Sequence, residues 1–188
     1  MHALLFTVLG LFFALSVGKL LFVLTVTVAL PETGGAMFVP THQARVAAFL
    51  DAVPLDRGKL LVDLGAGDGR VLRAACRRYH VAGLGFELNF LAYACALALS
   101  VGVARLHFER KNFLSADLSG ADYIYCYLFP DVMEAVGRKL SGELREGVLV
   151  ASANFPIPDW APFSVVRPAG ELLHDPIYLY RAPGRQPA

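Results

Sequence analysis

The run Leu61-Val62-Asp63-Leu64-Gly65-Ala66-Gly67-Asp68-Gly69-Arg70 concentrates the chemistry of this chain. An apolar strand ends in the carboxylate of Asp63, a turn with glycine at every second position follows, and a helix begins. Glycines at such spacing let backbone pass close beneath a ligand that a Cβ would push away. A dinucleotide fingerprint, G-x-G-x-x-G, would need its third glycine at position 70, where Arg70 stands.

The pattern present, D-x-G-x-G-x-G, is the form associated with binding of S-adenosylmethionine, so Asp63, Gly65, Ala66, Gly67 and Gly69 are the first candidate contacts. Glu87 follows at the end of the next strand, in Gly85-Phe86-Glu87-Leu88-Asn89. An acid about 20 residues past the glycine turn can accept hydrogen bonds from both ribose hydroxyls of a nucleoside. A solvated strand-end carboxylate is the plainer alternative. After the third strand comes Lys111-Asn112-Phe113-Leu114, where the amide of Asn112 and the ring of Phe113 would suit an adenine. Equally, Phe113 could be core and Asn112 a turn residue.

The fourth strand, Ala121-Asp122-Tyr123-Ile124-Tyr125-Cys126-Tyr127-Leu128-Phe129-Pro130, places three tyrosines on one side by alternation. Tyr127 is nearest the carboxyl end, hence nearest any transferred methyl group, and its ring could favour a developing cation. Packing against helices is the competing explanation for all three. The fifth strand runs into Ser152-Ala153-Asn154-Phe155-Pro156-Ile157-Pro158-Asp159-Trp160, a stiff aromatic loop that either positions an acceptor through Asn154 or merely caps the sheet. No strong general base is evident. Tyr127, Asn154 and Asp131 are the candidates for the catalytic side.

These residues need elements to hold them. Strands are expected near 60–64, 82–87, 103–108, 122–128 and 147–153, with helices near 70–79, 90–100 and 131–141 between them. Two further strands, about 163–167 and 176–182, suit an antiparallel hairpin at the sheet edge. A helix should precede the first strand, N-capped by Thr41, with Val46, Phe49, Leu50 and Val53 on its apolar face. Strands alternating with helices imply right-handed crossovers and an α/β, Rossmann-like, seven-stranded, mostly parallel sheet covered on both faces. Ligands of such sheets lie outside the carboxyl ends of the strands, at the topological switch point.

Composition narrows the class. The 188 residues suit one domain, and 17 Lys+Arg against 16 Asp+Glu leave a net charge of +1. That balance offers no case for a nucleic-acid binder, which normally carries a clustered basic excess. Cys76, Cys95 and Cys126 have no C-x-x-C spacing, and the five histidines are scattered, so neither a disulfide framework nor a metal site is expected. The mean hydropathy of +0.51 is high, and the excess sits at the front, where residues 3–30 are almost wholly apolar with Lys19 the single charge. About 27 helical residues reach about 40 Å, enough to cross a bilayer with tilt. Three readings compete: a transmembrane anchor, a hydrophobic helix docked on the domain or a second copy, and a cleaved signal peptide. The anchor is the working picture, although Lys19 would cost about 2.5–3.5 kcal/mol at mid-membrane. The organisation expected is an anchor over 1–30, a Pro/Gly-punctuated linker over 31–40, a catalytic domain over 41–182 and a tail over 183–188.

Asp63-x-Gly65-x-Gly67-x-Gly69 with Glu87 resembles the class I, seven-β-strand methyltransferases over roughly residues 38–182. A narrower likeness rests on Phe38-Val39-Pro40-Thr41 after the apolar segment, on Asn112-Phe113, and on the loop from Asn154 to Trp160. Together these resemble the small membrane-anchored protein-lysine methyltransferases of mitochondria that modify the ADP/ATP carrier and the ATP synthase c subunit, and their bacterial relatives. The layout is also similar to the non-SET histone lysine methyltransferase, which has asparagines at its fourth strand end where Tyr127 stands here. The resemblance implies that Pro40 and Thr41 cover the cofactor, and that Asp63, Gly65, Gly67, Glu87, Asn112 and Phe113 bind it. It implies methyl transfer to a lysine of a membrane protein. The expected setting is a single-pass membrane protein with its domain on the cytoplasmic side of a bacterial inner membrane, or on the matrix side of the mitochondrial one. A methyltransferase acting on a membrane-dissolved quinone or lipid, and a cofactor-binding scaffold without turnover, are the alternatives.

Overall fold

A computed structural model describes residues 2–29, 40–168 and 175–184 of the chain. Residues 31–39 of the linker expected over 31–40, with Phe38 and Val39, and residues 185–188 of the tail expected over 183–188 lie outside the described residues. Seven strands form one sheet in the order β3-β2-β1-β4-β5-β7-β6. They are β1 (Leu60–Asp63), β2 (Ala82–Phe86), β3 (Leu106–Glu109), β4 (Tyr123–Cys126), β5 (Leu149–Ala153), β6 (Ser164–Val166) and β7 (Ile177–Arg181). The first five run parallel, and β7 pairs antiparallel with both β5 and β6. The strand order reverses between β1 and β4, so the switch point falls at the end of β1, where the glycine turn begins.

Two apolar layers flank the sheet. On one face α2 (Gln43–Ala52), α3 (Arg70–Tyr79) and α4 (Phe90–Leu99) supply Val46, Phe49, Leu50, Val71, Leu72 and Ala96. On the other, α5 (Met133–Glu143) packs Met133, Val136 and Leu140 against Ile124, Cys126 and Val150. Alternation along β4 produces this division: Tyr123 and Tyr125 belong to the first layer, Ile124 and Cys126 to the second. Gly137 of α5 lies so close to Ile157 that an added Cβ would stand 3.0 Å from its side chain, which lets the loop after β5 seat on the helix.

Three expectations require correction. His42, not Thr41, caps α2, its Nδ1 accepting from the Ala44 N–H at 3.3 Å, while Thr41 is buried one residue upstream. β3 begins at Leu106 rather than near 103, because Val103 closes a turn onto the Ser100 carbonyl and Arg105 adopts a left-handed φ of 59°. The third concerns the N-terminal segment. It forms a continuous helix, α1 (His2–Ala29), that contacts α4. Its side chains are described over residues 6–20 alone, all of them exposed. Among the described residues no helix is long and apolar enough to cross a membrane, so the transmembrane expectation has no structural support.

Candidate active site

The turn after β1 is built by carboxylates that face backbone N–H groups. Asp63 Oδ1 accepts from the Gly65 N–H at 3.1 Å, and Glu87 Oε2 accepts from the Gly67 N–H at 2.8 Å. Glu87 Oε1 meanwhile takes the Asn89 N–H at 2.7 Å, so the ends of β1 and β2 are tied through one side chain. Gly67 and Gly69 have φ of 56° and 78°, the left-handed region that costs a Cβ-bearing residue about 1–2 kcal/mol. At Gly69 the restriction is doubled, since a Cβ would lie 2.5 Å from the Phe108 ring.

Asp63 is fully buried, and burial pushes its carboxyl up to about 7 despite the opposing Gly65 N–H; the carboxylates of Glu87 and Asp68 push the same way. Burial also raises Glu87 above the usual carboxylate range, against the N–H bonds from Asn89 and Gly67. Asp68 goes the other way. Burial alone would raise it, but hydrogen bonds and charge from Arg70 hold it below its ordinary value. Among the described residues, the turn therefore gathers two carboxylates, Asp63 and Glu87, whose charge is not met by a paired cation. That donor set fits S-adenosylmethionine, which brings an ammonium and a sulfonium and offers ribose hydroxyls to an acceptor such as Glu87.

Arg70 has a part that its position in the sequence did not suggest. Its Nη2 meets Asp68 Oδ2 at 2.7 Å, and its Nη1 donates to the Thr41 carbonyl at 2.9 Å. Arg73 also donates to the Asp68 carbonyl. Thr41 is thus pinned over the glycine turn from a position 29 residues upstream. The available signal was the one used only for exclusion, an arginine where a dinucleotide site has glycine.

The remaining candidates divide. Asn112 Oδ1 caps a short 3-10 turn by accepting from the Leu114 N–H at 2.9 Å. Phe113 is buried in the α5 layer with Phe86 and Val62. Asn112 thus serves the turn and Phe113 the core. Cys126 of β4 pairs with Ser152 of β5, so Tyr127 and Asn154 leave neighbouring strand ends side by side. Asn154 takes a left-handed φ of 71° while its N–H donates to the Pro176 carbonyl at 2.8 Å. Left-handed backbone in a residue other than glycine is uncommon and concentrates at functional sites. Asp131 stands exposed in the 3-10 turn Pro130–Val132. The loop after Asn154 also caps the sheet, with Ile157 buried and its N–H bonded to the Tyr180 hydroxyl at 3.0 Å.

Tyr127 is half-buried and already engaged. The Arg45 guanidinium lies 4.7 Å over its ring and pairs with Asp175 at 2.7 Å. One face of the ring that sequence reasoning offered to a developing cation therefore carries a resident cation from α2. Arg45 is a residue that reasoning missed, for its partner lies 130 positions away.

Comparisons with known proteins agree with this geometry. A family model described as the ANTKMT methyltransferase domain matches residues 63–164. A protein-lysine N-methyltransferase of Saccharolobus islandicus is 31% identical over 147 residues, covering 76% of this chain and 91% of that protein. The adenine nucleotide translocase lysine N-methyltransferase of Mus musculus is 33% identical over 141 residues, covering 68% of this chain but only 58% of its own length. Among solved structures, an RNA methyltransferase from Salinibacter ruber in complex with S-adenosyl-L-homocysteine aligns with a TM-score of 0.71 at 32% identity, over 79% of this chain and 97% of that one.

Proposed function

Because this chain belongs to the ANTKMT methyltransferase domain family, an S-adenosylmethionine-dependent protein-lysine methyltransferase family, we propose that it methylates a lysine of a membrane protein while held at the membrane by α1. One observation carries the cofactor side: Glu87 spans from β2 to the Gly67 N–H at 2.8 Å, closing the glycine turn at the switch point. The cofactor supplies a methyl group on a sulfonium, activated for in-line displacement. Glu87 is assigned to the ribose hydroxyls. Asp63, Gly65, Ala66, Gly67 and Gly69 form the floor, and Thr41, fastened by Arg70, forms the roof. Asn112 contributes from the rim, and Phe113 supports the adenine wall from the core side.

The acceptor side is assigned to Tyr127 and Asn154 at adjoining strand ends, with Asp131 at the entrance. In-line transfer asks the protein mainly to orient, and effective molarity does most of the rest. A lysine must also be uncharged when it attacks. Entry beside half-buried Tyr127 strips water from the amine, and burial disfavours its ammonium form. The released proton passes to solvent through the exposed side of Asp131. The membrane setting rests on the sequence: residues 3–30 are almost wholly apolar, with Lys19 the single charge. A cytosolic cofactor then puts the domain on the cytoplasmic side, or the matrix side in a mitochondrion.

An RNA acceptor is the second reading, raised by the description of the Salinibacter protein. The net charge of +1 weighs against it. The test is transfer of radiolabel from S-adenosylmethionine into membranes, a lipid extract and total RNA of a strain lacking the protein, using full-length enzyme and a Glu87→Ala control. Acid-stable label on lysine in a discrete membrane-protein band is the expected result. Label in the lipid extract or in RNA moves the acceptor to that class. Absence of label from every fraction, with cofactor binding intact, would sink the reading.

A further inference from the structure

The helix α4 is inside out for a surface helix. Over Phe90–Leu99 it reads FLAYACALAL without a charge, and Ala92 and Ala96 are its buried residues. Tyr93 packs on the core and Leu91 is partly buried, but three other large apolar side chains face outward: Phe90 is 58% exposed, Leu97 45% and Leu99 54%, with Val101 just beyond at 82%. Surface helices normally turn a polar stripe to water, as α5 does with the exposed Glu134–Arg138 pair.

What adjoins α4 indicates its cover. α1 contacts it, and the described α1 side chains Phe6, Leu9, Phe12, Phe13 and Leu15 are themselves more than half exposed. Both helices thus expose apolar side chains, and contact with α1 leaves the outer face of α4 open. Cations border that face at its start. The Arg110 guanidinium lies 5.7 Å over the Phe90 ring, with exposed Lys111 next in the chain. Glu109 is an exposed acid in the same stretch. Apolar side chains rimmed by arginine and lysine match a bilayer surface, where the former enter the headgroup boundary and the latter meet anionic headgroups.

We propose that α4 is a second lipid contact, lying on an anionic bilayer surface beside the anchor α1 and fixing the orientation of the domain. This rests on the reading of α1 as the membrane anchor. Orientation has a consequence for function, since Asn89 at the start of α4 is two residues from Glu87 and accepts from the Leu91 and Ala92 N–H groups at 3.0 Å. The cofactor site is thereby held at a set height above the lipid, within reach of acceptor lysines at the membrane surface.

Cys95 lies on α4 and is exposed, whereas Cys76 and Cys126 are buried, so an environment-sensitive maleimide dye reports on α4 in the full-length protein. The protein is reconstituted in phosphatidylcholine–phosphatidylglycerol vesicles. A Phe13→Cys, Cys95→Ser variant reports on α1 separately. The expected result is quenching at Cys95 by spin-labelled lipid and protection from aqueous iodide, both weakened in phosphatidylcholine alone. Adding Leu97→Glu and Val101→Glu should return the dye to iodide. Iodide quenching at Cys95 with lipid quenching at position 13 overturns the proposal and leaves the anchor standing. Protection from both quenchers at Cys95 means that protein, such as a second copy, covers α4, and also overturns it. Iodide access at position 13 ends the anchor reading instead, while lipid quenching retained at Cys95 upholds the contact by itself.

Discussion

Replacing Asp63 by Asn isolates the electrostatic strain at the centre of the site. The carboxyl is fully buried and raised from 3.8 to about 7, chiefly by burial. A difference of about 3 units at about 1.36 kcal/mol each gives about 4 kcal/mol between protonation states. The folded value lies above the unfolded one, so the folded chain holds a proton that the unfolded chain has released. The stabilisation is complete below about pH 4, declines as pH rises, and is gone once pH passes about 7. Asparagine keeps an oxygen for the Gly65 N–H, now at 3.1 Å from Asp63, and removes the charge near Glu87 and Asp68. The variant should therefore lose this slope and, by about pH 8, exceed the parent in unfolding free energy by up to about 4 kcal/mol. Denaturant melts of the full-length protein in detergent across that range measure it. A positively charged ligand near Asp63 should lower its pKa, so cofactor binding near pH 7 should release a proton that Asp63→Asn does not release. Calorimetry in two buffers of different ionisation enthalpy reads that proton. Parallel stability curves for the two proteins, or equal proton release, would refute the reasoning.

Three further outcomes are expected. Glu87→Gln should weaken cofactor binding by roughly 10–100-fold, the value of a lost charge-assisted hydrogen bond of about 1.5–3 kcal/mol, read by titration calorimetry; it should also lower the melting temperature, because the new NH2 faces either the Gly67 or the Asn89 N–H, and a thermal melt checks that. Gly69→Ala should cost more than the about 1–2 kcal/mol of its left-handed φ, because the new Cβ would meet the Phe108 ring at 2.5 Å, and a melt that matches the parent contradicts this. Tyr127→Ala should lower kcat while cofactor affinity stays within about threefold, and Tyr127→Phe should retain most activity because it keeps the ring under Arg45. Equal losses in both variants would assign the work to the hydroxyl.

The parts of this molecule that can be read from the chain are those governed by local rules. β1, β2, β4 and β5 fall where apolar alternation and glycine punctuation put them, and the switch point follows from their order. Glu87 is legible because the distance from one strand end to the next is fixed by the helix between them, here α3. Errors arise where tertiary contact outweighs a local preference. Thr41 has the better capping side chain, yet Arg70 takes its carbonyl and buries it, and His42 becomes the cap.

Arg45 marks a different boundary. Nothing within ten residues of it signals a role, since its partner Asp175 and the ring of Tyr127 arrive only when α2 and the start of β7 meet over the end of β4. The consequence reaches the chemistry. On the proposed function, a lysine approaching Tyr127 would meet a ring with one face covered by a guanidinium, which is more weakly hydrated than an ammonium and cannot be deprotonated there. A second cation beside that ring would be opposed, and the neutral amine, the form that attacks sulfonium carbon, would be the form least opposed. The site would then differ in kind from an aromatic cage for ammonium ions, because its ring is a wall shared with an internal cation.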